Sequence, residues 1–406
     1  IVEEAVARAV REYDARWGGA IVVDVPSGEI MAWAQYPFFN PNTYKDASPL
    51  VYRNRMAADA LEPGSTFKPF VYGAAFAQGA SPNDALMDSA VEIPLGGGRV
   101  WRPTDGRAPS EEPMTLADGL AYSKNTITAQ LMQQVGPARV AEVARALGVR
   151  QSKLEEVPSL ALGTSPVTLK EMISAYSSIV NLGRYVEPVL ITSIEDRHGN
   201  VLETFAKSVP EEVFQPRAAQ TLRNTMRGAV DRGTATAIRT RYGIQADVAG
   251  KTGTTQDNTD GWFILMNARV VAGAWAGFND GRITLRSDYW GQGARSALPM
   301  VGEFMQQGLR ARVINGNERF VDEFAPVELP PPPDAPLDSV RDWIRGLFGG
   351  GESRSAPPAP PALPPGTLPP VTTDDAPSVQ FTPMVPPPPP LVPLTPATPA
   401  QDWVGG

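Results

Sequence analysis

Glu62-Pro63-Gly64-Ser65-Thr66-Phe67-Lys68-Pro69-Phe70 is a turn that runs straight into a helix. Pro63-Gly64 marks the turn, and Ser65 suits the first positions of a helix. Phe67, Phe70, Val71, Ala74 and Ala75 then recur at spacings of three and four, the period of a buried helix. Ser65 and Lys68 are three apart, so they share one helix face about a turn apart. A hydroxyl beside an amine is a nucleophile beside a candidate base.

Two further short motifs follow in order, Ser123-Lys124-Asn125 and Lys251-Thr252-Gly253. Each alone is unspecific. Their specificity lies in the order and the settings. The first opens a helix, the second lies in a loop between helical patterns, and the third ends a strand. Lys68 can act as a base only if it is neutral part of the time. Burial, a helix N-terminus and a neighbouring cation each lower an amine's pKa, and Lys251 supplies that cation if the fold brings it close. Ser123 could relay a proton to a leaving group, and Asn125 could bind a substrate amide or hold Lys68. Thr252 and Thr254 offer hydroxyls, and Lys251 a charge, to a substrate carboxylate. Gly253 leaves room for a substrate lying along the strand.

The three motifs together resemble penicillin-binding proteins and class A β-lactamases. The likeness to a penicillin-binding protein transpeptidase domain runs over about residues 18–312. It includes Gly250-Lys251-Thr252-Gly253-Thr254-Thr255, Asp260-Gly261-Trp262-Phe263, Ser159-Leu160-Ala161-Leu162-Gly163-Thr164 and Ala175-Tyr176. Trp101-x-Pro103, Gly233-Thr234-Ala235 and Trp275-Ala276-Gly277 are similar to class A, the bifunctional enzymes. Tyr36-Pro37-Phe38-Phe39-Asn40-Pro41-Asn42 is equally at home in class B. A glycosyltransferase domain is not expected in this chain, so any polymerase activity would lie outside it.

The resemblance implies an α+β fold, an antiparallel sheet flanked by helices. It implies a D,D-transpeptidase or carboxypeptidase that works through a Ser65 acyl-enzyme without metal or cofactor. The backbone N–H groups of Ser65 and Thr254 would form the oxyanion hole. The substrates would be peptidoglycan stem peptides ending in D-Ala-D-Ala, with β-lactams as inhibitors and cell-wall synthesis proteins as further partners. Such an enzyme works outside the cytoplasmic membrane, anchored by an N-terminal segment that this chain lacks. Two other readings stay open. A β-lactamase or β-lactam sensor shares the fold and the first step. A β-lactamase also needs a glutamate for its deacylating water. Glu155 and Glu156 lie roughly thirty residues past Ser123, but Val157-Pro158-Ser159 does not look like the lactamase loop. The other reading is a non-catalytic scaffold that recruits partners through its tail.

Composition narrows the alternatives. The 406 residues carry a net charge of −8 and no long basic run, which argues against nucleic acid. There is no cysteine, so no thiol nucleophile and no disulfide. The single histidine, His198, sits in Asp196-Arg197-His198-Gly199-Asn200, which reads as a hairpin turn. Serine chemistry here must therefore look to lysine. No apolar run reaches the 18 or so residues of a membrane span.

Along the chain, residues 1–16 read as a helix, and 1–17 as a helix or linker before the domain. A hairpin is predicted at 20–34, mostly loop at 36–61, and loops with short strands at 81–113. Helices are expected from 115, over 127–135, 138–147, 169–182, 216–230 and 297–310. Strands are expected at 189–195, 200–206, 246–254, 261–266 and 270–277. Trp262 and Phe263 read as core, and Trp101 as either cleft wall or packing. Arg107, Asp105 and Asp260 have no assignable role. The transpeptidase domain is set at 18–325. Of the 42 prolines, 24 fall in 326–406, a composition that cannot bury enough surface to order itself. Within that tail, 337–348 has apolar residues at helical spacing.

Overall fold

Strand-forming runs from opposite ends of the domain build its frame. The computed structural model describes residues 1–205, 207–255, 260–278 and 293–325. The tail, and with it the helical pattern at 337–348, lies outside the described residues. The central sheet has five strands: β1 Trp17–Asp24, β2 Ile30–Tyr36, β3 Ala249–Thr254, β4 Asp260–Met266 and β5 Val270–Gly277. Their order is β3-β4-β5-β1-β2, and every pairing is antiparallel. The first strand therefore sits beside the last, with Trp17 opposite Gly277 and Asp24 opposite Val270. β3, which carries Lys251-Thr252-Gly253, is an edge.

The strands alternate, and both faces are covered, so β1, β4 and β5 are buried along their whole length. Ala20, Val22, Phe263, Leu265, Ala272 and Ala274 face α1 (Val2–Glu12) and α8 (Gly293–Arg310). Ile21, Val23, Trp262, Ile264, Val271 and Trp275 face the other helices. These are α2 Lys68–Ala77, α3 Leu116–Ala121, α4 Asn125–Val135, α5 Pro137–Leu147, α6 Leu169–Val180 and α7 Pro216–Asp231. Trp262 and Phe263 are thus core residues on opposite faces of one strand.

Local chemistry explains the boundaries. The Thr115 side chain caps α3, and Thr168 with Glu171 forms a capping box at α6. α1 stops at Glu12, short of the predicted residue 16, because Asp14 turns to φ 55 and the chain enters β1 at Trp17. Val6, Ala9 and Val10 are buried against the sheet and α8, so this helix is packed into the domain. The histidine hairpin pairs Ser193–Glu195 with Val201–Thr204, shorter than predicted, and the Asp196 carboxylate accepts the N–H groups of His198 and Asn200 in an exposed turn.

Candidate active site

Ser65 lies inside a 3-10 turn, Gly64–Phe67, that becomes α2 at Lys68. It is not the cap of that helix. Its side chain makes no capping bond and lines a cleft of about 990 Å3. The turn is fixed from several sides. Thr66 Oγ1 donates to the Pro63 carbonyl at 2.7 Å, and Tyr176 Oη donates to the Thr66 carbonyl at 2.7 Å. Gly64 has φ +53, and a Cβ there would lie 2.5 Å from the Thr254 carbonyl. A Cβ on Gly253 would lie 2.6 Å from the Pro63 carbonyl. The two glycines thus let the Ser65 turn press against β3.

Lys68 is completely buried. Its Nζ donates to Asn125 Oδ1 at 2.6 Å, to Ser123 Oγ at 3.2 Å and to the Ser123 carbonyl. Burial pushes its pKa down to about 7, with Asp105 opposing the shift and Lys124 adding to it. Lys251 is also completely buried, and its Nζ donates to Ser123 Oγ at 2.8 Å and to the Thr252 carbonyl at 3.0 Å. Burial, and then the charge of Lys68, hold its pKa well below the usual lysine value. Ser123 Oγ therefore bridges two amines that resist being charged together. Ser123 itself is held at φ 60, a strained backbone state for a residue with a side chain.

The sequence expectation for Lys251 changes in one respect. The buried ammonium donates to Ser123, itself on the cleft lining, and the strand's hydroxyls that line the cleft are those of Thr252 and Thr254. Thr252 Oγ1 is 2.7 Å from Thr234 Oγ1, which also lines the cleft. Asn125, the first residue of α4, is used at both ends of its amide. Oδ1 accepts from Lys68, and Nδ2 donates to the Thr104 carbonyl at 2.6 Å. Of its two possible tasks, it performs the second, holding Lys68. Trp101 does both things considered for it, lining the cleft and packing on the core.

Sequence reasoning missed Asp88 and gave no role to Asp105 or Thr234. Lys124 pairs with Asp88 at 2.8 Å and with Asp105 at 3.3 Å. Burial opposes ionisation of Asp88, but bonds from Lys124, Ser110 and Thr126 win and hold its pKa at about 2. Nothing local in the sequence marks Asp88. Thr234 lies in Gly233-Thr234-Ala235, which drew notice without a role. Asp260 gains one too, as its Oδ1 accepts the indole N–H of Trp275 at 2.8 Å and ties β4 to β5. Glu155 and Glu156 stay outside the lining of the cleft, and Glu156 pairs with Arg145 at 3.0 Å.

Comparison with known proteins agrees with this geometry. The family model of the penicillin binding protein transpeptidase domain matches residues 18–266. Penicillin-binding protein 1A of Neisseria gonorrhoeae is 30% identical over 301 residues, covering 73% of this chain and 36% of that protein. Penicillin-binding protein 1A of Rickettsia conorii is 27% identical over 335 residues, covering 76% and 40%. The chain thus spans well under half the length of these relatives. Among solved structures, penicillin-binding protein 1A of Haemophilus influenzae superposes with a TM-score of 0.64 at 24% identity, covering 78% of this chain and 49% of that one. Penicillin-binding protein 3 of Mycobacterium tuberculosis, complexed with aztreonam, superposes at 0.65 and 23%, covering 79% and 78%. These likenesses carry the α+β fold with its antiparallel sheet. With the family match spanning the Ser65, Ser123 and Lys251 motifs that meet at one cleft, the chain belongs to the penicillin-binding protein transpeptidase family.

Proposed function

We propose that this chain is a peptidoglycan D,D-transpeptidase that cross-links stem peptides through an acyl-enzyme on Ser65. The observation that carries the reading is Ser123 Oγ bridging the buried amines of Lys68 and Lys251 beside a cleft lined by Ser65. Neutral Lys68 takes the Ser65 proton as Oγ attacks the penultimate D-Ala carbonyl of a stem peptide. The N–H groups of Ser65 and Thr254 stabilise the oxyanion, a contribution of about 3 kcal/mol for such donors. The C–N bond breaks, Ser123 passes a proton to the leaving nitrogen, and terminal D-Ala departs. An amine of a second stem then attacks the ester and releases Ser65, or water does and the outcome is carboxypeptidation. Thr252 and Thr254 hold the terminal carboxylate, and Asn125 keeps Lys68 in place.

β-Lactams mimic the terminal dipeptide and acylate Ser65 without ready release; the aztreonam complex of the mycobacterial protein supports the binding step of this reading. The substrate puts the enzyme outside the cytoplasmic membrane. Residues 18–325, with Trp17 and the helix α1 packed against them, are the catalytic domain, and the proline-rich 326–406 is dispensable for chemistry and available to cell-wall synthesis proteins. Intact-mass spectrometry with penicillin over hours tests the assignment. A single persistent adduct, absent in Ser65→Ala, is expected. An adduct that disappears while penicillin is consumed would make the protein a lactamase, and no adduct would favour a scaffold.

A further inference from the structure

We propose that Asp105 is a positioning residue that fastens the Ser123-Lys124-Asn125 loop from behind and brings a carboxylate to the two-amine centre. The inference rests on the transpeptidase reading for its activity arm alone. Asp105 lies in a loop after the short strand Arg99–Trp101 and belongs to no regular element. Its Oδ1 accepts the backbone N–H of Asn125 at 2.5 Å, at the first residue of α4. The preceding residue, Thr104, accepts the Asn125 side-chain amide at 2.6 Å through its carbonyl. Two consecutive residues thus grip Asn125 by backbone and side chain, and the remaining end of its amide goes to Lys68.

The other oxygen of Asp105 faces Lys124 at 3.3 Å and Thr126 Oγ1 at 3.1 Å. The single Thr126 hydroxyl proton goes to the nearer Asp88 oxygen at 2.7 Å. Asp88 is 1% exposed and takes two more bonds from Ser110, so it is a fixed anion. Two carboxylates around one ammonium leave one negative charge. The Lys68–Lys251 pair, linked through Ser123, is the adjoining site where one positive charge balances it. The charged and titratable groups around Lys68 are Lys251 from β3, Lys124 and Asp105 from the loop side, and Tyr72 on its own helix. Arg102 and Arg107 also line the cleft. Removing the Asp105 charge therefore takes away what holds the proton on the amine pair, whereas removing the whole carboxylate also frees Asn125.

The test compares Asp105→Asn with Asp105→Ala in the full chain. Asparagine keeps an acceptor for the Asn125 N–H and loses the charge. Acylation by a fluorescent penicillin is followed from about pH 5 to pH 9, with rate constant and dissociation constant separated. In parallel, lysine 13Cε resonances are titrated by NMR, which works without turnover because the chain has only seven lysines. Lys68 is assigned by Lys68→Arg. Asp105→Ala should slow acylation by about tenfold or more at an unchanged dissociation constant. Asp105→Asn should restore the rate at high pH to within about threefold of wild type. Its acid limb and the Lys68 titration should both move to lower pH. Three results would overturn the inference: Asp105→Ala reacting at the wild-type rate, Asp105→Asn matching the alanine variant, or a Lys68 titration that stays put or moves up. A wild-type chain that is not acylated at any pH would sink the transpeptidase reading, and the NMR titration would still decide the role of Asp105.

Discussion

Lys68 and Lys251 share one hydroxyl, their Nζ atoms 3.2 and 2.8 Å from Ser123 Oγ. Burial has already brought Lys68 down to about 7. A base must be unprotonated to act, so the acylation rate should rise with pH through about 7 and level off above it. Stopped-flow acylation across that range checks this, and a flat profile would count against Lys68 as the base.

The same shift makes a stability prediction. Unfolded, Lys68 titrates near 10.5; folded, near 7. Between these values the unfolded chain binds the extra proton, so this site adds stability as pH rises from 7 to 10.5, by at most about 1.4 kcal/mol per unit. Lys68→Met lacks this gain. Relative to the variant, wild type should become steadily more stable over that window in urea denaturation, and acylation of the variant should fall by about 10^3-fold. A constant stability gap would show that Lys68 is not desolvated as described.

Lys251 is buried and acts through Ser123, so its loss should be felt in the rate. Lys251→Ala should slow acylation by about 10^2-fold with little change in the dissociation constant. Thr252→Ala should do the reverse for a β-lactam bearing a carboxylate, because Thr252 lines the cleft. Separating the two constants by stopped-flow decides it, and a Lys251→Ala effect confined to binding would return the lysine to the substrate.

Gly64→Ala should be severe. Its φ of +53 and the Thr254 carbonyl 2.5 Å from the new Cβ leave no relaxed place for the methyl group. We expect a loss of about 2–4 kcal/mol in thermal denaturation. Acylation should fall with it, because the clash would drive the Ser65 turn off β3.

Far from the cleft, Arg223 on α7 is 1% exposed and clasps the segment that follows α8. Its guanidinium bonds Asp322 at 2.5 Å and the Val321 carbonyl at 3.0 Å, with Phe320 below it. Asp322→Ala, which strands a buried cation, should cost about 3 kcal/mol, and Arg223→Met clearly less. Equal losses in chemical denaturation would mean the ion pair is not what matters.

The Ser65, Ser123 and Lys251 motifs were legible because each is contiguous, so its local setting could be read directly from the chain. The helices of the core announced themselves by apolar spacing. Asp88 and Asp105 were not legible, because their partner Lys124 lies 36 and 19 residues away and loop residues carry no period that points to a partner. Lys251 was found, and of its two expected roles the structure shows the one beside Lys68. Its motif tells which residues meet at the strand edge, and the face its ammonium takes depends on Ser123, 128 residues earlier. The end of α1 was missed for a smaller reason, a single residue turned to positive φ.

The pairing of β1 with β5 also governs how the protein is made. Trp17–Asp24 leaves the ribosome roughly 250 residues ahead of its partner Val270–Gly277. Until then one edge of an apolar strand waits without its neighbour, and the Ser65 turn has no β3 to press against. Nascent chains that stop anywhere in between present an open strand edge of the kind that aggregates, and none of them can assemble the cleft.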